Sequence, residues 1–244
     1  MTSSASRHVA SRRGVVLGLV ALAGCEGDRW TMGETVRAWR FVGQADDDNR
    51  PVATRREWVE FTGPLEPGFS GMVGSEQPLD ALYLGMGNVV TRVELRSEIE
   101  RAGEQLVARS QRLLWRADAA APLMAFARQE ALAVADLWDA PESVRRYLRT
   151  QDQGLLDAAF DLALANGSRA ASAAMMAMGP DSDERAWQNA YTALSHALDA
   201  RADAAGSSAD SVATLQQERA RLDDRLGAYL EGLSRSAATR GDAR

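Results

Sequence analysis

The sequence predicts a mainly α-helical protein, a bundle of five or six helices preceded by a small irregular or β-hairpin part. From Val93 onward, apolar residues recur every three or four positions, the spacing of one helix face. The breaks between these segments carry residues that begin or end helices. Most of the prolines instead fall within residues 30–88. The predicted parts are a signal peptide (1–24), an aromatic, Gly- and Pro-rich region (25–92), a helical domain (93–235) and a frayed tail (236–244).

The first 25 residues have the three parts of a secretory signal. The polar start carries three arginines and no acidic residue, and an apolar run follows from Gly14 to Ala21. The segment ends in Leu22-Ala23-Gly24-Cys25, which resembles the lipobox of bacterial lipoproteins. The resemblance implies cleavage before Cys25, attachment of diacylglycerol to its thiol and acylation of the new amine.

This resemblance implies an extracytoplasmic protein, anchored by N-terminal lipid to the cell membrane or the outer membrane. The apolar run is shorter than the roughly 20 residues that a bilayer span requires. Two or three acyl chains anchor firmly, because each buried methylene contributes about 0.8 kcal/mol. Two alternatives are an ordinary secretory signal with an incidental cysteine and a twin-arginine signal at Arg12-Arg13.

The aromatic region has the composition of a small β-hairpin. Val36–Val42 and Glu57–Thr62 are the two predicted strands, and the acidic residues 46–49 form the predicted turn. Two Thr-x-x-Glu patterns in the same region are also typical of helix starts. We favour the hairpin, followed by a glycine-rich loop over residues 64–78.

Six apolar stripes predict the helices of the following part. Asp139 and Asp181 are the predicted N-caps, and Asn166-Gly167 and Gly206 are the predicted stops. The stripes cover residues 95–113, 122–138, 144–162, 170–178, 187–198 and 212–233.

The last predicted helix has the pattern of a coiled coil. Its apolar positions alternate in steps of three and four over about three heptads. Leu222 and Leu226 lie on this seam, and Arg219 at a seam position would weaken it or specify its partner. We therefore expect a protein partner or self-association through the C-terminal helix, which substitution of both leucines by aspartate would disrupt.

The residue inventory excludes several kinds of chemistry. The chain has a net charge of −6, one cysteine, two histidines and no lysine, and His8 lies in the expected signal peptide. Schiff-base chemistry, disulfides within the chain, Cys₄ and Cys₂His₂ zinc sites and c-type haem attachment are therefore excluded. An acidic chain without a basic cluster is unsuited to nucleic acid. We expect no catalytic residue, no cofactor, no metal and no nucleic-acid partner.

Two groups of residues have the chemistry of metal ligands. Asp46, Asp47, Asp48 and Asn49 offer oxygens for Ca²⁺, but the alternation of an EF-hand loop is missing, which favours a solvated turn. Three methionines, with His196, offer soft ligands for Cu(I), although methionine in an alanine-rich helix is more often core filler. These methionines are Met175, Met176 and Met178.

One pattern suggests an enzyme. Glu142-Ser143, followed by Gly154-Leu155-Leu156, resembles part of the pattern of lytic transglycosylases, which are helical and often lipid-anchored. The resemblance implies that Glu142 is an acid in a cleft with a raised pKa. A place in the first turn of a helix explains the same residue.

Ser195 and His196 form no nucleophile–base pair, because adjacent helical residues point about 100° apart.

Aromatic residues crowd the region before the helices. They either wall a ligand pocket or seal this region onto the helices, and we favour the seal because aromatic side chains dominate core packing. They are Trp30, Trp39, Phe41, Trp58 and Phe61.

The sequence as a whole predicts a non-enzymatic, lipid-anchored protein of the cell envelope that acts as a protein-interaction or structural module. The first alternative is a ligand-binding lipoprotein with an apolar pocket between the aromatic region and the helices. The second is a peptidoglycan-cleaving enzyme acting through Glu142.

Overall fold

Seven strands and seven α-helices form the described part of the chain, so the fold is mixed α and β and the predicted mainly helical bundle is wrong. The computed structural model describes residues 35–43, 57–66, 70–181, 184–206 and 208–241. The strands are β1 (Thr35–Val42), β2 (Trp58–Glu60), β3 (Met72–Gly74), β4 (Val89–Arg96), β5 (Glu100–Ala102), β6 (Gln105–Ala108) and β7 (Ser110–Asp118). The helices are α1 (Pro78–Tyr83), α2 (Ala120–Ala133), α3 (Glu142–Thr150), α4 (Leu156–Asn166), α5 (Arg169–Ala177), α6 (Ala186–Ala204) and α7 (Ser208–Gly241).

The strands form two antiparallel sheets. One has the order β1-β4-β7-β2 and the other the order β3-β6-β5. The strands predicted in the aromatic region exist as β1 and β2, but the predicted hairpin between them is wrong, because they occupy opposite edges of the first sheet. The predicted loop over residues 64–78 contains β3 and the start of α1.

The helix predicted over residues 95–113 is wrong, because this segment forms β-strands. Tight turns divide it, with Ser97 and Glu98 at positive φ before β5 and Gly103 at φ 61° before β6. Leu95, Ile99, Leu106 and Leu113 still share one core, but they reach it from different strands and turns. Their spacing matched a helix by coincidence. The four-stranded sheet therefore runs across the boundary expected at residues 92 and 93.

The four-stranded sheet has a core on each face. Alternate residues of a strand point to opposite faces, so Val36 and Ala38 of β1 pack toward the three-stranded sheet. Trp39 and Phe41 of the same strand pack against the helices instead. The predicted seal between the aromatic region and the helices is therefore present at these two residues. Trp30 lies outside the described residues.

The helix boundaries correct some predictions and confirm others. Gly167 ends α4 in the left-handed conformation at φ 69°, and Gly206 follows α6 at φ 93°, so both predicted stops are confirmed. The predicted N-caps are wrong. Asp139 ends a short 3₁₀ helix, and Asp181 pairs with Arg128 of α2 while α6 begins five residues later, at Ala186.

The apolar stripe of α7 packs on the chain itself. Leu222, Leu226 and Leu230 are fully buried in the helical core, where α7 meets α1, α6 and β7. Arg219, at the seam position singled out in the sequence, forms an ion pair with Asp80 of α1. A partner contact through the buried leucines would require α7 to leave this core.

We expect Asp223→Ala to cost about 1–3 kcal/mol, because it removes the acceptor of a buried backbone N–H. The N–H of Leu79 donates to Asp223 Oδ1 at 2.9 Å where α7 meets α1. Asp223→Asn keeps an acceptor there and is the matched control. Urea unfolding of the three proteins at pH 7 measures the difference, and equal loss in both variants would contradict it.

The same residue gives a pH dependence. Burial raises the pKa of the Asp223 carboxyl, so the folded state disfavours its charged form. Stability from this group therefore increases as the pH falls through the raised pKa. Asparagine has no charge to bury, so we expect the free energy of unfolding of Asp223→Asn, relative to the wild type, to be highest at pH 7. This difference should decrease toward about pH 4, where an unfolded aspartate also protonates. Urea midpoints across this range test the trend.

Candidate functional site

An open groove of about 680 Å³ lies between α4, α5 and the connection from α5 to α6. Its lining is largely apolar and includes two carboxylates and one amide. The lining residues are Leu156, Asp157, Phe160, Asp161, Met175, Met176, Met178, Gly179, Pro180 and Asn189.

Helix α4 forms one wall of the groove, and only a small part of its surface is buried against the helical core. Ala159 and Ala163, four residues apart, are its buried residues and belong to the helical core. Phe160 and Leu164 follow each of them by one position and remain 39% and 57% exposed. Leu162 is also exposed. Since α4 packs through small side chains, its large apolar side chains stay outside.

Helix α5 forms the floor of the groove. Ser168 caps its N-terminus by accepting from the N–H of Ala171 at 3.2 Å. The predicted methionine cluster is brought together here, since Met175, Met176 and Met178 all line the groove. Unbranched thioether side chains adapt to differently shaped apolar partners. The floor is therefore suited to an occupant whose apolar side chains vary.

The connection between α5 and α6 lines part of the groove and is fixed by two contacts. A Cβ at Gly179 would come within 2.6 Å of Asn189 Nδ2, so a side chain there would displace Asn189. Arg128, buried on α2, binds Asp181 at 2.6 and 3.0 Å through both of its terminal nitrogens. This bidentate pair fixes the connection on the helical core.

The groove has an acidic rim. Asp157 and Asp161 lie four residues apart on α4 and are both exposed. Among the described residues that line the groove, these two carry the only formal charges, and none is an arginine. A carboxylate pair beside an apolar floor favours an occupant that has both apolar and cationic groups.

The other predicted site residues do not join the groove. His196 is half-buried on α6 and is not among the lining residues, so the proposed soft-ligand set is not assembled. Glu142 lies at the start of α3, 75% exposed and 3.3 Å from Arg149. A glycosidase acid requires a cleft that shields it from water, and this position provides none. Cys25 and residues 46–49 lie outside the described residues.

Around Trp39 and Phe41, the space for the alternative apolar pocket is filled by core side chains. The cavity beside Trp39 and Phe41 has a volume of only about 30 Å³, roughly the space of one water molecule. Trp58 lies on the exposed part of the same sheet, where the guanidinium groups of Arg96 and Arg112 are 3.9 and 5.0 Å from its ring centroid. These aromatics therefore build the sheet and its core.

The described residues contain no group of three or more His, Cys, Asp or Glu side chains placed to hold a metal ion. No helix in this part of the chain is long and apolar enough to cross a membrane. The methionine-lined groove is thus the candidate site that the described structure offers.

The methionine cluster was predicted from the sequence, but the groove was not. The apolar stripe predicted over residues 144–162 ends at Leu162, which is exposed, whereas the buried face of α4 is Ala159 with Ala163. The available signal was the alanine pair, since helices that pack closely need small residues at this spacing. Comparison with family models, curated proteins and solved structures finds no match to this chain.

Proposed function

We propose that the protein is a lipid-anchored, extracytoplasmic interaction module that binds a segment of another protein in the groove between α4 and α5. The observation that carries this proposal is the exposed side chain of Phe160, which lines the groove together with Leu156 and the three methionines. Contiguous exposed apolar surface on a soluble domain commonly marks a binding site. The anchor is proposed from the lipobox at Cys25.

A segment of protein fits this groove better than a small molecule does. Small-molecule sites enclose about 70–90% of their ligand. This groove is open along its length, and Phe160 on its wall is itself 39% exposed. An occupant would therefore keep one side in contact with water, as a helix lying in a groove does.

Loss of a cross-linked partner is the expected result of Phe160→Ser. The substitution removes the largest apolar contact of the groove wall at an exposed position, so the fold should persist. Tagged full-length protein is cross-linked in native membranes and its partners are identified by mass spectrometry. Val212→Ser, at an exposed apolar position on α7, is the matched control. An unchanged set of cross-linked proteins in the Phe160→Ser variant would refute binding in the groove.

The proposed anchor has its own test. Cells grown with labelled palmitate should incorporate the label into the wild type and not into a Cys25→Ser variant, because the thiol and the new amine both carry acyl chains in the lipobox scheme. Glu26→Gln keeps the thiol and should retain the label. A labelled Cys25→Ser protein, or an unlabelled wild type, would count against the lipid anchor.

A further inference from the structure

We infer that the groove takes a cationic amphipathic helix of a partner protein, an inference that rests on the proposed function. The apolar side of the groove determines the spacing of the occupant's contacts. Leu156 and Phe160, which both line the groove and lie one turn apart on α4, are about 6 Å apart along the helix. A partner helix that lies beside α4 would contact them with apolar residues at positions i, i+3, i+4 and i+7.

The charge of the occupant follows from the rim. Asp157 and Asp161 occupy successive turns of α4 beside the apolar stripe, and the described part of the groove lining contains no basic side chain. The whole chain carries a net charge of −6, so its field also attracts cations at longer range. Lysine or arginine at the edges of the partner's apolar stripe would lie opposite these carboxylates.

Other kinds of occupant fit less well. A β-strand adds to an open sheet edge, whereas this groove is walled by helices whose backbone groups bond internally. Polyproline segments favour grooves lined by several aromatic residues, and Phe160 is the only aromatic among the lining residues that the structure describes. A second copy of this chain would bring its own Asp157 and Asp161 toward the same carboxylates, and like charges repel.

Two labelled helical peptides of about 18 residues separate these occupants. Both carry leucine at the i, i+3, i+4 and i+7 positions. One has lysine on the flanks and the other has glutamate. Each is titrated by fluorescence anisotropy against the full chain in phosphatidylcholine nanodiscs, with empty nanodiscs as the blank. We expect saturable binding of the lysine peptide, about tenfold tighter than the glutamate peptide at low salt, with the difference shrinking above about 0.15 M salt.

Matched variants assign this preference to the rim. Asp157→Asn with Asp161→Asn should bring the two affinities close to equality. Glu60→Gln at the end of β2 with Glu104→Gln in the turn between β5 and β6 removes the same charge from exposed sites and should keep the preference. Phe160→Ser should weaken both peptides, because each uses the same apolar wall.

Several results would overturn the inference. They are no saturable binding of the lysine peptide, equal binding of both peptides by the wild type, or a preference that survives the double aspartate substitution. A dimer in sedimentation that Phe160→Ser dissociates would assign the groove to a second copy instead. If the lysine peptide binds and Phe160→Ser leaves both affinities unchanged, the groove itself is wrong, and the proposed function fails with it. If both peptides bind the wild type equally and Phe160→Ser weakens both, only the inference of a cationic occupant is overturned.

Discussion

Replacing Arg201 and Arg225 together by methionine is expected to destabilise the fold by about 3–5 kcal/mol, because it leaves a buried carboxylate without a counter-charge. Glu130 of α2 is fully buried, at 0% exposure. Arg201 of α6 binds its Oε2 at 2.9 Å, and Arg225 of α7 binds the same oxygen at 3.2 Å. The three residues join three helices at one point in the fold.

A triple variant that also carries Glu130→Met distinguishes the cost of the unpaired charge from the cost of lost apolar contacts. Methionine preserves most of the length of the arginine side chains, so the loss of apolar contacts is small. Adding Glu130→Met removes the unpaired charge and should restore most of the stability, since well-packed apolar replacements of buried ion pairs are often neutral or better. Urea unfolding followed by circular dichroism measures all three proteins. A triple variant as unstable as the double would show that the arginine side chains, and not the buried charge, set the cost.

Leu226→Ala is expected to cost about 2–5 kcal/mol, the range for a leucine removed from a packed core. Leu226 is fully buried on α7 among helices α1, α2 and α6 and the four-stranded sheet. Val212→Ala on the same helix is the matched control, because Val212 is 57% exposed and its truncation should change stability by less than about 0.5 kcal/mol. Equal urea midpoints for both variants would contradict the packing of α7.

The burial of Leu226 also affects the test of a partner at the C-terminal helix. Aspartate at Leu222 and Leu226 would unfold the protein, so any loss of interaction could not be assigned to a coiled-coil seam. Surface positions such as Phe160 are the informative ones. An intramolecular core also uses the three-and-four spacing of a heptad seam, and the spacing alone does not say which chain covers the stripe.

Local sequence patterns predict some features of the candidate site and not others. The methionine cluster is visible in the sequence, and the stop at Asn166-Gly167 separates α4 from α5 as predicted. The direction in which α4 faces is not visible, because Leu155, Leu156, Phe160, Leu162 and Leu164 surround the helix with apolar residues. The contact of Ala159 and Ala163 with the core decides which of them remain exposed.

The sequence by itself determined the excluded chemistries, strand β1 and the glycines that end α4 and α6, and its resemblance to a lipobox at Cys25 stays a prediction. Each depends on residue identity or on neighbours within a few positions. Only the tertiary structure decided that residues 89–118 form strands, that β1 and β2 lie at opposite edges, and that the α7 stripe is covered by the chain itself. Residues distant in sequence decide which side chains are buried at these positions, and the short-range periodicity of the sequence does not depend on those distant residues.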